Sequence, residues 1–434
     1  MNLSVVFGGF FMKKKFLKLL CAITIFSNCL QFYNAQEQNT FNLDSESAVI
    51  MDANTKRVLY SYNGDKQQYP ASITKVMTML LGVESKDLDR NVTISEYGSL
   101  SIEVGSSHIS LMPNETITMK DAIMAACLAS ANDGANLIAE GVSGDIDSFV
   151  TKMNQRAKEI GCLNTNFANP HGLHDDQHYT TAIDMAKIMS EAVSNETYLN
   201  LTGLDEYIIE PTNKTTTTRY LYGQNKSMYE ESEYYIPEVM SAKSGYTDQA
   251  MHTYVAYAKK NDVELVVCVM NTPTGSGMYT DLMTLFDYGF KTFTAYDGLE
   301  KSLKLPDLDN SLFTTGGTLK LNASFDQPAI QNNSEKGKFK FIYEVDQTKG
   351  EDAKVGDVVG KVKLTYDNEI IDSRNLIVET PVKNILKSFL GFILTLIKIL
   401  VILIVLGIVG LFAAKKIYTK YKNEQIRKRR RNRR

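Results

Sequence analysis

The stretch Tyr69-Pro70-Ala71-Ser72-Ile73-Thr74-Lys75 stands where a helical pattern begins in the first half of the chain. Apolar residues recur from there at helical spacing, at Ile73, Val76, Met77 and Leu80. A serine and a lysine three positions apart at a helix start lie on one face, so the amine can reach the hydroxyl. The helix N-terminus also favours negative charge that develops there. The same pattern is typical of a serine N-cap beside a solvated lysine, so alone it is a weak indication of chemistry.

Two further polar clusters follow the serine and lysine. Ser130-Ala131-Asn132 lies between a helix predicted to end near Ala129 and another that starts at Asp133. A hydroxyl and an amide on such a turn can project side by side into a cleft, or they can simply cap the next helix. Lys243-Ser244-Gly245-Tyr246-Thr247 leads into a predicted strand, where a lysine and a hydroxyl suit an anionic ligand and glycine permits its close approach. Taken alone, this third cluster is equally typical of an ordinary turn.

The three clusters occur in the order S-x-x-K, S-x-N, K-[TS]-G, which is the signature of penicillin-interacting serine enzymes. The chain resembles the low-molecular-mass penicillin-binding proteins that act as serine-type D-alanyl-D-alanine carboxypeptidases, which have a β-lactamase-like transpeptidase fold. The resemblance covers residues 43–380. It includes the segments Ala48–Asp52, Tyr69–Thr78, Leu128–Glu140, Asn169–Leu173, Thr181–Ala186 and Lys243–Thr247.

This resemblance implies removal of the terminal D-alanine from peptidoglycan stem peptides through an acyl-enzyme, acylation by β-lactams, and no cofactor or metal. It assigns Ser72 as the nucleophile and Lys75 as its general base, kept neutral by burial and by Lys243. Ser130 would relay the proton to the leaving D-alanine, and Asn132 would hold the substrate amide. The substrate-binding residues it implies are Lys243 and Ser244 for the terminal carboxylate, Gly245 and Thr247 beside them, and the Ser72 and Tyr246 amides as the oxyanion hole.

The chain departs from the family pattern at two places. Ser244 replaces the usual threonine, which keeps the hydroxyl but loses the methyl group that fixes its rotamer. Met251-His252-Thr253 stands where the family usually has a smaller, glycine-containing segment. His171 matches a family histidine beside the cleft, and we expect it to play a structural hydrogen-bonding role.

Three alternative functions compete with this interpretation. A class A β-lactamase-like hydrolase needs a deacylating glutamate, and Glu196 stands in a similar local pattern. A zinc D,D-peptidase could use His171, His174, Asp175 and His178 as metal ligands. A catalytically silent wall-binding protein would keep the fold without the reaction.

Residues 40–295 mix strand and helix patterns. Ala48–Asp52 with Val58–Tyr62 predicts a hairpin, and a second one is predicted from Thr253–Ala258 and Leu265–Met270. Strands at both ends with helices between them predict an α+β catalytic domain, an antiparallel β-sheet flanked by helices.

Residues 300–380 show only short alternating runs separated by turns. They predict a small all-β, sandwich-like domain that follows the catalytic one. Within the catalytic part, Thr118 with Asp121 is a capping pattern that predicts a helix start. Cys127, Cys162 and Cys268 have no metal-like spacing and are interpreted as buried free thiols.

The two ends of the chain carry membrane signals. Residues 1–35 have the layout of a secretory signal peptide, with Met12 as an alternative start. Residues 382–414 form the predicted membrane anchor. Phe389–Ala414 is long enough for a C-terminal transmembrane helix, whereas Val382–Lys398 is also typical of an amphipathic anchor that lies in the interface. The two can also follow each other, with the span starting at Ile399. Residues 415–434 hold eleven Lys and Arg against Glu424 and form a basic tail, which the positive-inside rule places in the cytoplasm.

The segregation of charge has a consequence for the partners of the folded part. Residues 36–414 contain 32 basic and 49 acidic residues, although the whole chain has a net charge of only −3. An acidic body between basic ends disfavours nucleic acid as a partner. The sequence therefore predicts an exported protein, anchored in the cell membrane with its catalytic domain on the extracytoplasmic side, where it meets stem peptides ending in D-Ala-D-Ala.

Overall fold

A computed structural model describes residues 41–295, 303–304, 320–322, 329–334, 338–346, 354–378 and 385–431. The signal-peptide prediction lies outside these residues. The strands are β1 (Ser47–Asp52), β2 (Val58–Tyr62), β3 (Asn91–Thr93), β4 (Thr116–Thr118), β5 (Glu206–Ile209), β6 (Arg219–Tyr222), β7 (Val239–Thr247), β8 (Met251–Lys260), β9 (Val263–Thr272), β10 (Phe293–Ala295), β11 (Leu303–Lys304), β12 (Lys320–Asn322), β13 (Ile330–Asn332), β14 (Phe339–Val345), β15 (Val358–Tyr366) and β16 (Glu369–Val378). The helices are α1 (Lys75–Glu84), α2 (Glu96–Leu100), α3 (Met119–Leu128), α4 (Asn132–Ser143), α5 (Ile146–Ile160), α6 (Ala182–Val193), α7 (Glu196–Thr202), α8 (Gly275–Thr292) and α9 (Ile385–Arg431).

A five-stranded antiparallel sheet, in the order β2-β1-β9-β8-β7, forms the centre of the first part of the chain. Both predicted hairpins are confirmed, as β1 with β2 and as β8 with β9. Ile50 contacts α8 at Gly289, whereas its neighbour Met51 lies 3.7 Å from Ser190 on α6. Because adjacent strand residues point to opposite faces, α8 and α6 cover the two faces of the sheet. The predicted α+β fold class is confirmed.

Local signals set the helix boundaries. The predicted capping box is confirmed, since Asp121 donates its backbone N–H to Thr118 Oγ1 at 3.1 Å and accepts from the Thr118 amide at 2.9 Å. The helix predicted from Ser72 onward is regular only from Lys75, because residues Ala71–Thr74 form a 3₁₀ turn. Cys127, Cys162 and Cys268 are free and buried, as predicted.

Five of the strands described between 303 and 378 form a second antiparallel sheet, in the order β11-β12-β16-β15-β14, whereas β13 pairs with β10. This agrees with the all-β prediction, while the domain boundaries at 40–295 and 300–380 stay predictions. The two parts of the chain are in contact around Arg57. Its guanidinium lies 4.2 Å from the centre of the Tyr366 ring and donates to the Ile330 carbonyl. The Ile330 amide in turn donates to Asp52 at 3.4 Å.

The C-terminal helix α9 contains an apolar segment that is long enough to cross a membrane. Within it, Phe389–Lys428 has a mean hydropathy of 3.1 in its most apolar window, and none of that window is buried against the rest of the described chain. A stretch of this kind is a candidate membrane span, which agrees with the predicted anchor.

A buried ion pair fixes the β5–β6 hairpin to the rest of the fold. The Arg219 guanidinium donates to both oxygens of Glu115, at 2.8 and 3.1 Å, and to the Ile109 carbonyl at 2.9 Å. Glu115 is fully buried, which by itself would raise the pKa of its carboxyl group. Hydrogen bonds from Arg219, Met112 and Thr212 outweigh burial and hold that pKa below its ordinary value.

We therefore expect Arg219→Ala to lower the unfolding temperature of the full chain in detergent by roughly 5–15 °C, because it leaves a buried carboxylate without its partner. The exposed i,i+4 pair Lys291–Asp287 supplies the control, and Lys291→Ala should leave the unfolding temperature nearly unchanged. Equal unfolding temperatures for the two variants would contradict this account of the hairpin.

Candidate active site

A cleft of about 600 Å³ opens beside the free edge of β7. All three sequence clusters meet there. Its lining includes Ser72, Ser130, Asn132, Ser244, Gly245, Tyr246 and Thr247. Lys75 and Lys243 are buried beneath this lining. The structure thus brings together every predicted site residue, from segments that are far apart in the chain.

Ser72 is presented on a tight turn that its surroundings hold in place. Ala71, just before it, has a left-handed backbone with φ +51°. The loop residue Gly172 lies so close that a Cβ there would be 1.9 Å from the Ala71 carbonyl oxygen. On the other side, Thr253 Oγ1 donates to the Pro70 carbonyl at 2.8 Å. A strained conformation of this kind persists only where the surrounding structure fixes it, which is typical of functional sites.

The Lys75 amine is fully buried and contacts three oxygens. Its Nζ lies 3.0 Å from Ser72 Oγ, 2.7 Å from Asn132 Oδ1 and 2.7 Å from the His171 carbonyl oxygen. The Asn132 and His171 oxygens are acceptors only. A neutral amine has two hydrogens and one lone pair, so two N–H bonds to these acceptors leave the lone pair to face Ser72. The arrangement can therefore take a proton from the Ser72 hydroxyl.

Burial and a neighbouring charge explain why this amine can be neutral. Desolvation lowers the pKa of Lys75 well below its ordinary value, the charge of Lys243 lowers it further, and Asp133 partly offsets both. Burial also lowers the pKa of Lys243, to about 8, so its ammonium form still prevails at pH 7. Lys243 Nζ donates to the Ser244 carbonyl at 2.8 Å. One lysine thus suits proton transfer and the other suits anion binding.

The turn between α3 and α4 is held by a carboxylate that the sequence analysis did not single out. Ser130 has a left-handed backbone with φ +54°, and Asn132 donates its amide to the Ser107 carbonyl at 2.8 Å. Asp133 is buried and accepts from the Ile109 and Leu111 amides at about 3 Å. Asp133 therefore fixes the rim of the cleft. Because Asn132 Oδ1 accepts from Lys75, the Asn132 amide nitrogen is left for a ligand.

The third cluster lies inside a strand, so its interpretation as an ordinary turn is wrong. Lys243–Thr247 is the second half of β7, an edge strand of the central sheet. A Cβ at Gly245 would lie 2.6 Å from the Ser72 amide nitrogen, so only glycine allows the strand to pass this close. The segment Met251-His252-Thr253, which differs from the family pattern, also lies at the site. His252 lines the cleft, and Met251 adopts φ +52°, a conformation that favours glycine.

Two histidines near the cleft, His171 and His178, form hydrogen bonds with neighbouring residues of the fold. His171 Nδ1 accepts from the Leu173 amide at 3.2 Å, and burial is the main cause that lowers the pKa of this ring to about 3. His178 Nδ1 accepts from the Ala168 amide at 3.0 Å, so its Nε2 carries the hydrogen and donates to Thr74 Oγ1 at 2.8 Å. Among the described residues, no group of three His, Cys, Asp or Glu side chains is arranged to hold a metal ion.

The glutamate required by the β-lactamase alternative lies elsewhere. Glu196 is exposed at the start of α7, and its neighbours Asn195 and Thr197 line a separate depression with Val83 and Glu84. The described lining of the cleft, from Ser72 to Tyr279, includes no carboxylate that could activate a water by the route of that enzyme class.

Comparisons with known proteins agree with the geometry. The model of a family described as Peptidase S11, D-alanyl-D-alanine carboxypeptidase, matches residues 33–274. D-alanyl-D-alanine carboxypeptidase DacF of Bacillus subtilis is 33% identical over 259 residues, which cover 58% of this chain and 64% of the relative, just under two thirds of its length. D-alanyl-D-alanine carboxypeptidase DacA of Haemophilus influenzae is 29% identical over 364 residues, covering 82% of this chain and 89% of the relative.

A solved structure extends the likeness to most of the chain. The crystal structure of penicillin binding protein 5 from Haemophilus influenzae superposes with a TM-score of 0.63 at 28% identity, covering 79% of this chain and 99% of that protein.

Gly172 packs closely against the turn that carries Ser72. Gly172→Ala should lower the unfolding temperature by several degrees or more, since it combines a strained φ of +90° with a steric clash that costs roughly 3 kcal/mol. Gly105→Ala is the matched control, because Gly105 has nearly the same φ, +85°, with open space around it. It should cost only about 1 kcal/mol. Thermal unfolding of the full chain measures both, and a Gly172→Ala chain as stable as the control would refute the packing described.

Proposed function

Because the chain belongs to the Peptidase S11 family of D-alanyl-D-alanine carboxypeptidases, we propose that its cleft removes the terminal D-alanine from peptidoglycan stem peptides through an acyl-enzyme on Ser72. The chain is a serine-type hydrolase of the penicillin-binding protein class. The observation that carries the proposal is the Lys75 amine, buried, depressed in pKa and 3.0 Å from the Ser72 hydroxyl.

In the acylation step, Ser72 Oγ gives its proton to Lys75 Nζ and attacks the carbonyl carbon of the penultimate D-alanine. The negative charge that develops on the carbonyl oxygen is stabilised by the Ser72 and Tyr246 amides. The close packing of Gly245 against the Ser72 amide supports this pairing, since it brings β7 next to the nucleophile turn. Removing one such donor in a comparable site costs about 3 kcal/mol of transition-state stabilisation.

Collapse of the intermediate breaks the bond between the carbonyl carbon and the terminal D-alanine nitrogen. The proton held by Lys75 passes through the Ser130 hydroxyl to that nitrogen, so the leaving group departs as a neutral amine. Water then attacks the Ser72 ester by the reverse proton route and releases the shortened peptide. Ser130 lies on the cleft wall beside Asn132, as this relay requires.

The substrate is held at both ends of the scissile bond. The Asn132 side-chain nitrogen donates to the carbonyl oxygen of a substrate amide, because Asn132 Oδ1 already accepts from Lys75. Lys243, with its ammonium form at neutral pH, and the Ser244 hydroxyl bind the terminal carboxylate, with Gly245 and Thr247 beside them. β-Lactams acylate Ser72 in the same position and act as inhibitors.

The apolar C-terminal helix supports a location of this reaction at a membrane surface. We propose that residues 382–414 anchor the protein in the lipid bilayer, with the basic residues 415–434 in the cytoplasm and the catalytic domain outside. Support comes from the apolar segment in α9 and from the lysines and arginines that follow it. The residues 300–380 would form the spacer domain between the catalytic domain and the membrane.

The proposal is tested with the full chain in detergent, a fluorescent penicillin, and diacetyl-Lys-D-Ala-D-Ala. We expect covalent labelling and D-alanine release, and Ser72→Ala should abolish both while leaving the unfolding temperature unchanged. Ser276→Ala, another serine that lines the cleft, is the control and should keep both. An inert wild type would indicate a silent wall-binding protein, rapid penicillin turnover a β-lactamase, and loss of activity with a chelator a zinc enzyme.

The pKa of Lys243 predicts the alkaline side of the pH profile. The ratio kcat/KM should fall as pH rises through about 8, because Lys243 then loses the positive charge that binds the carboxylate. On the acid side, activity should persist well below the ordinary lysine pKa and fall only as Lys75 becomes protonated. Lys243→Arg should move the alkaline fall upward, since guanidinium keeps its charge. An active Lys243→Arg chain with an unmoved alkaline limb would show that Lys243 does not cause it.

A further inference from the structure

The β5–β6 hairpin carries an exposed aromatic face that the proposed reaction does not use. Along both strands alternate residues are buried and exposed, as expected for a two-stranded sheet packed on one side. The buried side holds Ile209 and Leu221. The outward side presents Tyr220, Tyr222 and Ile208, which are 62%, 62% and 49% exposed, together with Glu206. We call these four residues the hairpin face.

The hairpin face is a compact array of side chains on two paired and anchored strands. In the strand pairing Ile208 stands opposite Tyr220 and Glu206 opposite Tyr222, so the four side chains form a compact two-by-two array. The two tyrosines are two positions apart on one strand, about 6.8 Å. Behind them Arg219 is bonded to buried Glu115 and to the Ile109 carbonyl. The strand that carries the two rings is therefore anchored before any ligand arrives, which lowers the entropic cost of binding.

The hairpin face is continuous with the catalytic cleft. Tyr222 is followed by Gly223 and then by Gln224, which lines the cleft together with Ser72. Two residues span at most about 7 Å, so the face begins next to the cleft margin. A stem peptide of about four residues before the scissile bond reaches roughly 14 Å when extended. The chain to which the peptide is attached can thus lie on this face while the D-alanine end is at Ser72.

We propose that the hairpin face binds the glycan strand of peptidoglycan, a chain of N-acetylhexosamines, while the stem peptide occupies the cleft. The proposal rests on the proposed function. Tyrosine rings offer an electron-rich flat face to the C–H groups of a sugar ring, and their hydroxyls remain available for hydrogen bonds. Ile208 suits the methyl of an N-acetyl group, and Glu206 suits sugar hydroxyl and amide donors.

Size and charge disfavour other occupants. A stable protein partner usually covers about 800 Å² and 20–30 residues a side, whereas the hairpin face consists of four side chains. A bilayer with anionic headgroups is repelled by the carboxylates on and beside the face, at Asp205, Glu206 and Glu210, all of them exposed. A neutral, narrow and elongated polymer fits both its dimensions and its charge.

The test compares two substrates of the full chain in detergent: diacetyl-Lys-D-Ala-D-Ala, and uncrosslinked glycan strands that carry complete stem peptides. The double variant Tyr220→Ala, Tyr222→Ala should raise KM for the glycan-linked substrate roughly five- to tenfold and leave KM and kcat for the free peptide unchanged. Tyr220→Phe with Tyr222→Phe should keep most of the affinity, since the rings remain. Tyr62→Ala is the control, because Tyr62 is exposed on β2, the opposite edge of the sheet from β7.

Binding without catalysis separates this inference from the proposed reaction. Oligomers of N-acetylglucosamine, which are neutral and carry no peptide, should be bound by the wild type and by Ser72→Ala in equilibrium dialysis, and several-fold less by the double alanine variant. The glycan site would be overturned if the double alanine variant changed KM by the same factor for both substrates, or if the wild type did not bind the N-acetylglucosamine oligomers. Failure of D-alanine release alone, with oligomer binding intact, would instead contradict the proposed function.

Discussion

A fully buried lysine amine that forms no ion pair with a carboxylate among the described residues is the constraint on which the site depends. Removing an ammonium from water is costly, so the group is stable there only as a neutral amine. Lys75 meets this condition because α1 is buried along almost its whole length and brings Nζ between two acceptor oxygens. The remaining direction of the amine faces Ser72, and this makes an ordinary hydroxyl able to act as a nucleophile.

Keeping this geometry requires backbone conformations that are unfavourable on their own. Ala71 and Ser130 both have left-handed φ angles beside the cleft, and such conformations cost about 1–3 kcal/mol each. Gly172 and Thr253 hold the first turn from two sides, and Asp133 holds the rim next to the second. The central sheet also forms part of the site, since its edge strand β7 passes within contact distance of the Ser72 amide.

Charge is distributed unevenly both within the cleft and along the whole chain. Within the cleft, Lys243 keeps a pKa of about 8 and so remains a cation at neutral pH, next to a neutral Lys75. Over the whole chain, basic residues are concentrated at the ends while the body between them is acidic. The first arrangement suits an anionic peptide end, and the second agrees with the membrane orientation proposed above.

The sequence by itself determined the fold class, the family and the identity of the three clusters, because each depends on local patterns: strand alternation, helix capping and short motifs at fixed spacing. It also placed the helix break at Ser130 and both hairpins. The roles of Ser72, Lys75, Ser130, Asn132 and Lys243–Thr247 stay predictions, now with a geometry that suits them. Only the tertiary structure decided that Lys243–Thr247 is an edge strand, that Asp133 holds the rim and that the His171 carbonyl accepts from Lys75. The reason is physical: a backbone carbonyl has no residue identity to detect, and burial and lowered pKa arise only when segments a hundred residues apart pack together.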